Sequence, residues 1–499
     1  MEKQLSYVLT LSLEEMALRK IAVILINVPD FLATTENFPF ELVEFYQSQW
    51  LDTVEWKIRD KMSNLKLPES LARQMIPTLK AVGTEILKWK LFHNVFLNDP
   101  NEHFDVHVVE KLCWTTAGTV DYRKTAETLV RSNVVDIVKR FKLACLYCLE
   151  DYIPVIWKEL PEENKKFFYN GEDKEEVKTP HLWLFLPYIL ENIFKLHNIQ
   201  TPTPRNSFKY SALFGHKTLT EYCFQKFSKE DREASLVQTA KDVVRERNPD
   251  PLADFEPTHE KLSDVLCYLL SLMTPEEQMR IFKALPCEVL RCFLDWPWQK
   301  FFLDIADIIW TFLPKRKYND LLSKISIHIG NSGYYFPNFF QEFFLRSPRS
   351  FRKCFVDQVC RLGSFLQEFF ITEDSKTIEV IFRNIDAADR VRLVFSEHVF
   401  KLLNDFLLSD RWRIVEVCIR EATLSKENRE RLRGAFMEFV TRTDGGVRFN
   451  WRTQKRKRFF EFLDEMDASP ADKRSPEDET LTKVKKSRSG EENDVLPRN

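Results

Sequence analysis

The 499 residues include 73 Lys and Arg and 75 Asp and Glu, which gives a net charge of −2. Because the chain is nearly neutral, its overall charge does not indicate a polyanionic partner. Glycine is scarce, at 11 residues, which disfavours phosphate-binding loops, whereas Phe is abundant, at 42. A chain of this length is expected to form several domains or an elongated repeat array. Ten scattered Cys and the absence of a long uncharged apolar run predict an intracellular protein, cytoplasmic or nuclear, without a membrane span.

The first predicted helix has a defined start. Ser12 followed by Glu15 is a capping-box pattern, which predicts a helix over Leu13–Ile26. Apolar periodicity then predicts helices over 40–62, 71–96, 106–114 and 123–129. Pro77 and Gly83 lie inside the segment 71–96 and are candidate break points.

The stretch 136–161 is a helical segment that is apolar on most sides. Its apolar residues recur at steps of three or four, the spacing that places side chains on one helix face. A helix of this kind belongs inside a larger helical assembly. Pro154 either kinks this helix or starts a second helix capped by Asp151, and the kink is the favoured interpretation.

Proline-containing stretches at 198–205 and 246–259 are candidate boundaries within the rest of the chain. A helix is predicted over 181–196, and Thr274 followed by Pro275 predicts another helix start. These features suggest three regions, an N-terminal helical region over 1–200, a C-terminal helical-repeat region over 201–466 and a charged tail over 467–499.

A short motif of an aromatic residue, two further residues, Leu and Pro occurs three times, at 157–161, 282–286 and 310–314. Each copy is followed by an apolar pair, namely Phe167 and Phe168, Phe293 and Leu294, and Leu321 and Leu322. We interpret the motif as a helix end that proline halts, after which the next helix folds back to bury the apolar pair. The stretch 382–386 is a variant copy with Asp386 in place of proline.

The segments SLEEMALRKIAVILIN and RFKLACLYCLEDYIPVIWKELP resemble a large set of uncharacterised α-helical-repeat proteins that are loosely ankyrin-like in helix-pair layout. The resemblance covers most of residues 1–460 and implies no activity. It departs from true ankyrin repeats, because the chain lacks their Thr-Pro-Leu-His signature. The predicted fold class is therefore all-α, with stacked antiparallel helix pairs in an irregular α-solenoid-like array and a disordered C-terminal tail.

Two residue pairs have the spacing of a redox or metal-binding site. Cys145 and Cys148 form a CxxC pair, but a redox pair usually lies at a helix N-terminus, and this pair is predicted to be mid-helix and buried. His103 and His107 have helical spacing for a metal, but the motif contains no Glu at the position of a catalytic base. Because nucleotide-binding and nucleophile-elbow motifs are also absent, we predict no catalytic, cofactor or metal residues.

Basic residues cluster near the end of the sequence. Lys455, Arg456, Lys457 and Arg458 are a candidate basic patch on the last helix. Further on, Lys473, Arg474, Lys485, Lys486 and Arg488 have the layout of a bipartite nuclear-import signal, for which the partner would be an import receptor. A solvated charged tail without that role is the alternative.

The predicted function is a non-enzymatic helical-repeat scaffold that binds protein partners, with import into the nucleus as a further expectation. The alternative is a nucleic-acid-associated protein that uses the basic segments near the C-terminus, with affinity that falls steeply with salt. An enzyme whose site is assembled from residues distant in sequence is the third alternative.

Overall fold

The computed structural model describes residues 7, 9–36, 56–57, 60, 68–97, 106–169, 186, 188–189, 191, 203–247, 261–332, 338–362, 364–443 and 454–468. Within them the chain is all-α, as predicted, with 25 helices, no β-strand and one isolated antiparallel bridge between Trp114 and Val120. The chain divides into two compact units, Met1–Gln358 and Val359–Asn499.

The helices that begin in the first unit are α1 (Leu13–Ile26), α2 (Pro29–Glu36), α3 (Glu69–Leu97), α4 (Val106–Val109), α5 (Tyr122–Arg131), α6 (Ile137–Leu146), α7 (Ile153–Glu159), α8 (Glu162–Tyr169), α9 (Pro204–Leu213), α10 (Lys217–Gln225), α11 (Lys229–Glu246), α12 (Leu262–Ser271), α13 (Pro275–Ala284), α14 (Pro286–Cys292), α15 (Gln299–Ile309), α16 (Lys315–Ser332), α17 (Phe339–Arg346) and α18 (Arg349–Leu362). The second unit contains α19 (Ser364–Ile371), α20 (Ser375–Arg383), α21 (Ala387–Val394), α22 (Glu397–Leu408), α23 (Trp412–Ala422), α24 (Lys426–Thr443) and α25 (Gln454–Ala468).

The start of α1 has the predicted capping box. Ser12 Oγ accepts the Glu15 backbone N–H at 3.1 Å, and the Glu15 carboxylate accepts the Ser12 N–H at 2.7 Å. This helix packs on α3, which runs unbroken through both candidate break points, Pro77 and Gly83. Met75 and Leu79, on either side of the proline, are buried. Their packing offsets the free energy that is lost because Pro77 cannot donate a backbone hydrogen bond.

The favoured kinked helix over 136–161 is wrong, because the chain makes two helices there. The first, α6, ends at Leu146, and Cys148 follows in a left-handed conformation with φ 50°. The Leu149 N–H donates to the Ala144 carbonyl at 2.9 Å, which closes the helix in the manner of a Schellman motif. Pro154 lies in the first turn of α7, in agreement with the alternative interpretation of a second helix. The N-cap residue of α7 is Tyr152, whereas that alternative had Asp151 as the cap.

Each copy of the aromatic-Leu-Pro motif is a junction between consecutive helices, at α7–α8, α13–α14 and α15–α16. The proline is the first residue of α14, and it directly precedes the first residue of α8 and of α16. It therefore marks the start of the second helix as well as the end of the first. The described residues of the apolar pairs are all buried, as predicted. In the first junction, Phe141 of α6 contacts Trp157 and Phe168 with ring centroids 5.0 and 4.9 Å apart.

The predicted boundary at residue 200 lies inside the first unit. Residues from both sides of it share one core, since the Tyr7 hydroxyl donates to Gln278 Oε1 at 3.2 Å and the Arg19 guanidinium lies 4.2 Å from the Trp296 ring centroid. The predicted tail lies almost wholly outside the described residues, as do most of the helices predicted over 40–62 and 181–196.

Candidate functional site

A cavity of about 420 Å³ in the first unit gathers charged and polar side chains from three helix starts. We call it the polar cleft. Its lining includes the starts of α5 (Asp121, Tyr122 and Arg123) and α10 (His216, Lys217 and Thr218) and, around the first turn of α12, Lys261 and Asp264. The volume lies within the range of small-molecule sites in proteins.

A glycine turn places His216 in the polar cleft. Gly215 follows α9 with φ +68°, and the His216 N–H donates back to the Ser211 carbonyl at 2.9 Å. A left-handed residue after a helix is a common C-terminal signal, and glycine adopts it without steric cost. The chain then turns at once into α10, with His216 as the N-cap residue.

Hydrogen bonding fixes the tautomer of His216. Its Nδ1 accepts the backbone N–H of Leu219 at 3.1 Å, so the ring proton of the neutral imidazole is on Nε2. Burial lowers the pKa of His216 to about 4, which keeps the ring neutral near pH 7. The Nε2 atom is buried and has no hydrogen-bond partner within the described part of the chain. His216, which lines the polar cleft, therefore has one buried and unused donor.

A second unused donor is the hydroxyl of Tyr122, at the first position of α5. It is buried without a hydrogen-bond partner among the residues that the structure describes, and burial raises its pKa, so it keeps its proton. The rings of Tyr122 and His216 both pack on Phe92 of α3, with centroids 5.6 and 5.8 Å from it. The two donors thus belong to one aromatic cluster at the wall of the cleft.

His93 lies in the same cluster, with both of its ring nitrogens engaged. Its Nδ1 lies 2.8 Å from the Trp89 carbonyl, and its Nε2 lies 2.6 Å from the Tyr147 hydroxyl. Burial lowers the pKa of His93 to about 3. Because its hydrogen bonds are satisfied inside the core, His93 supports the aromatic wall and is not available to a ligand.

A buried ion network forms the floor beside the cleft. Lys261 Nζ lies 3.3 Å from Glu85 and 3.7 Å from Asp264, and Glu85 also lies 3.4 Å from Lys88. Burial alone would lower the pKa of the Lys261 ammonium, but the neighbouring carboxylates outweigh burial and raise it. Lys261 therefore stays charged, and its charge is largely balanced within the protein.

A neighbouring cavity of about 310 Å³, the outer cleft, shares Arg123, Tyr147, Thr218 and Glu221 with the polar cleft. Tyr222 lines the outer cleft but not the polar cleft, and its hydroxyl donates to Glu150 at 2.7 Å. The shared residues make the two cavities adjoining parts of one groove.

The cysteines near the groove have the electrostatics of structural thiols. Cys145, Cys148 and Cys223 are buried, and burial raises the pKa of each thiol, so they stay protonated near neutral pH. The CxxC pair spans the end of α6, whereas the sequence pattern predicted a mid-helix position. Its predicted burial is confirmed.

Of the two histidines considered as metal ligands, His103 lies outside the described residues, and His107 is exposed, with Nδ1 3.4 Å from Glu110. Within the described ranges, no group of three or more His, Cys, Asp or Glu side chains is arranged to hold a metal ion.

The candidate basic patch on α25 contacts the second unit itself. Arg456 is buried, and its Nε donates to Asn404 Oδ1 at 3.3 Å, while Lys455 Nζ donates to the Leu408 carbonyl at 2.8 Å. Lys457 pairs with Glu461 at 2.8 Å, and the Arg458 guanidinium lies 4.8 Å from the Trp412 ring centroid. The four side chains thus differ in role, and Arg456 is not part of an exposed surface. The import candidates lie outside the described residues.

Sequence reasoning missed the residues of the polar cleft, because His216 and Tyr122 are unremarkable in isolation and Glu85 and Lys261 are 176 positions apart. One local signal was present. A glycine directly before a histidine at the start of a helical pattern, as at Gly215 and His216, indicates a helix end followed by a capped helix start.

No protein-family model matches the chain, and no curated protein sequence matches it. Among the described residues, every helix is too short or too polar to cross a membrane.

Proposed function

We propose that this chain is a non-enzymatic binding protein that holds a small ligand in the polar cleft of its first unit. The observation that carries the proposal is a pair of buried, unused donors, His216 Nε2 and the Tyr122 hydroxyl, on two residues that line a cavity of about 420 Å³. A buried donor without a partner costs roughly 1–3 kcal/mol, and a ligand that accepts its hydrogen bond recovers that cost.

The electrostatics around the cleft favour binding over catalysis. Catalytic bases work best with pKa values near the working pH, whereas burial lowers the pKa of His216 to about 4. Nucleophilic cysteines need a lowered pKa, whereas burial raises the pKa of Cys148. These shifts keep the groups neutral, which suits fixed hydrogen bonding to a ligand.

The predicted protein partners, nuclear import and nucleic-acid association stay predictions. The first two are independent of the cleft and compatible with a ligand-binding unit. Nucleic-acid association through α25 would use Lys455, Lys457 and Arg458, which are exposed, and not Arg456, which is buried.

A ligand screen with a blocked cleft tests the proposed function. Thr218 lines both cavities, so Thr218→Trp should fill the groove, and Lys229→Trp at the exposed start of α11 is the matched control. We expect at least one compound of a metabolite library to raise the melting temperature of the wild type and the control but not of Thr218→Trp. That compound should be recovered unchanged after incubation. The function is rejected if no compound distinguishes the blocked variant.

A further inference from the structure

The polar cleft has an electrostatic feature beyond its size. Of the three helices that begin at it, two start with a side-chain cap, α5 after Asp121 and α10 after His216. A helix N-terminus carries partial positive charge, and its first N–H groups have no partner within the helix. Two such ends at one cavity favour a negatively charged group there.

The unused side-chain donors provide an independent observation of the same preference. His216 is 3% exposed, and its Nε2–H has no hydrogen-bond partner in the described chain. The buried Tyr122 hydroxyl also lacks one. Both atoms belong to cleft-lining residues at the two helix starts, so the unused side-chain donors and the helix N-termini come from the same two segments.

The charged residues around the cleft are consistent with an anionic ligand. Among its acidic residues, Asp121 caps its own helix by accepting the Lys124 N–H at 3.0 Å, and Asp264 accepts from Trp298 Nε1 at 2.6 Å. Glu221 lies 3.7 Å from Lys217, and burial raises the pKa of its carboxyl, which weakens its negative charge. The acids are thus engaged or weakened. Arg123 and Lys217 add positive charge at exposed positions of the lining, although each also pairs with a glutamate, at 3.8 and 3.7 Å.

We propose that a phosphate or carboxylate group of the ligand binds between the N-termini of α5 and α10 and accepts hydrogen bonds from His216 Nε2 and the Tyr122 hydroxyl. This inference rests on the proposed function and names the ligand class for the same cleft. A phosphate and a carboxylate share the required chemistry, because each presents several acceptor oxygens and a negative charge.

Calorimetric titration of the full chain tests the proposal, with inorganic phosphate and acetate as separate probes and sodium chloride as the ionic control. We expect heat of binding for at least one probe, and the tighter probe identifies the group. Tyr122→Phe and His216→Asn each remove one donor, and each is expected to weaken binding about tenfold. Asn is a good N-cap residue, so the second change keeps the start of α10.

Two controls separate a binding role from a structural one. Tyr222→Phe removes a hydroxyl that lines only the outer cleft, so its affinity for the probes should equal that of the wild type. Tyr122→Phe should melt at the same or a higher temperature without ligand, because it removes a hydroxyl that has no partner in the free protein.

The proposal is overturned if neither anion binds the wild type, or if Tyr122→Phe and His216→Asn bind both probes as tightly as the wild type does. If neither anion binds but an uncharged compound binds the wild type and not Thr218→Trp, the anion inference fails while the binding function stands. If no compound of any charge distinguishes Thr218→Trp, both fail.

Discussion

Tyr147 donates its hydroxyl proton to His93 Nε2 across 2.6 Å, and both side chains are buried. Since Nε2 accepts, the ring proton is on Nδ1, which donates to the Trp89 carbonyl at 2.8 Å. Protonation of Nε2 would reverse the direction of the bond to Tyr147 and place a charge in a desolvated core. His93 is therefore a neutral structural link between α3 and the end of α6, and the stability of the first unit depends on its staying neutral.

We predict that the first unit loses stability in mild acid. The pKa values of His93 and His216 are about 3 and about 4 in the folded protein, below the ordinary value of 6.5. Between the ordinary value and these lowered values the unfolded chain binds protons that the folded chain does not, so the free energy of unfolding falls as pH falls. Stability is complete above the ordinary pKa and declines toward pH 4 and below.

The His93→Gln variant measures the share of that loss due to His93. Its free energy of unfolding should depend less on pH than that of the wild type, by about 1 kcal/mol per pH unit between about pH 6 and about pH 5. Urea unfolding at a series of pH values provides the comparison. If the free energy of unfolding depended on pH equally in the two proteins, the pKa of His93 would be the same in the folded and unfolded chain, and the prediction would be wrong.

The ion pair between Glu85 and Lys261 should show strong coupling, because the two side chains are only 1% and 12% exposed. Loss of Glu85 leaves Lys261 with Asp264 at 3.7 Å, and loss of Lys261 leaves Glu85 with Lys88 at 3.4 Å. Each remaining charge is less well compensated, so Glu85→Gln and Lys261→Met should each destabilise the first unit by roughly 3 kcal/mol. The double variant should lose much less than the combined loss of the single variants. Urea unfolding of all four proteins gives the coupling free energy.

A matched cycle on an exposed pair is the control for that measurement. Arg346 and Asp307 lie 3.0 Å apart, and their side chains are 40% and 50% exposed. Their coupling should be at most about 1 kcal/mol, because solvent screens the interaction. Additive effects at Glu85 and Lys261 would contradict the buried network.

Arg456 and Lys457 are neighbours in sequence that should respond differently to truncation. Arg456 is 6% exposed and donates to Asn404 in α22, so Arg456→Ala should destabilise the second unit by roughly 2 kcal/mol through lost packing and an unpaired amide. Lys457 makes an exposed pair within α25, and Lys457→Ala should change stability by no more than about 0.5 kcal/mol. Faster hydrogen exchange across Glu397–Leu408 should follow only the first change, and equal exchange in the two variants would contradict the assignment.

The sequence predicts features that depend on residues close together in the chain. It does not predict features that depend on residues far apart in the chain. The capping box of Ser12 and Glu15 involves positions three apart, so its pattern is visible before folding. The pairing of Glu85 with Lys261 depends on how α3 and the start of α12 pack, and no local pattern encodes it.

The end of α6 was missed for a different reason. Helix ends are recognised in sequence by glycine at the left-handed position, and Cys148 occupies that position here. Without glycine, the apolar pattern of 136–161 continues through the turn, and the pattern predicted one long helix. The second unit has helix ends of the same kind at Glu373, Asp410 and Thr423.

Asp410 provides a direct test of this explanation. It follows α22 with φ 61°, and the hydrogen bond from the Arg411 N–H to the Phe406 carbonyl, at 2.9 Å, closes the helix around it. A left-handed conformation is strained for most residues but not for glycine, so Asp410→Gly should stabilise the second unit by roughly 0.5–1 kcal/mol. Ser409 has φ −83°, and glycine there should destabilise by about 0.5–1 kcal/mol, because it adds freedom to the unfolded chain and removes the exposed hydrogen bond from Ser409 Oγ to the Asp405 carbonyl, at 2.8 Å. Pulse proteolysis in urea compares the two variants, and a loss of stability in both would mean that the left-handed turn after α22 carries no strain for glycine to relieve.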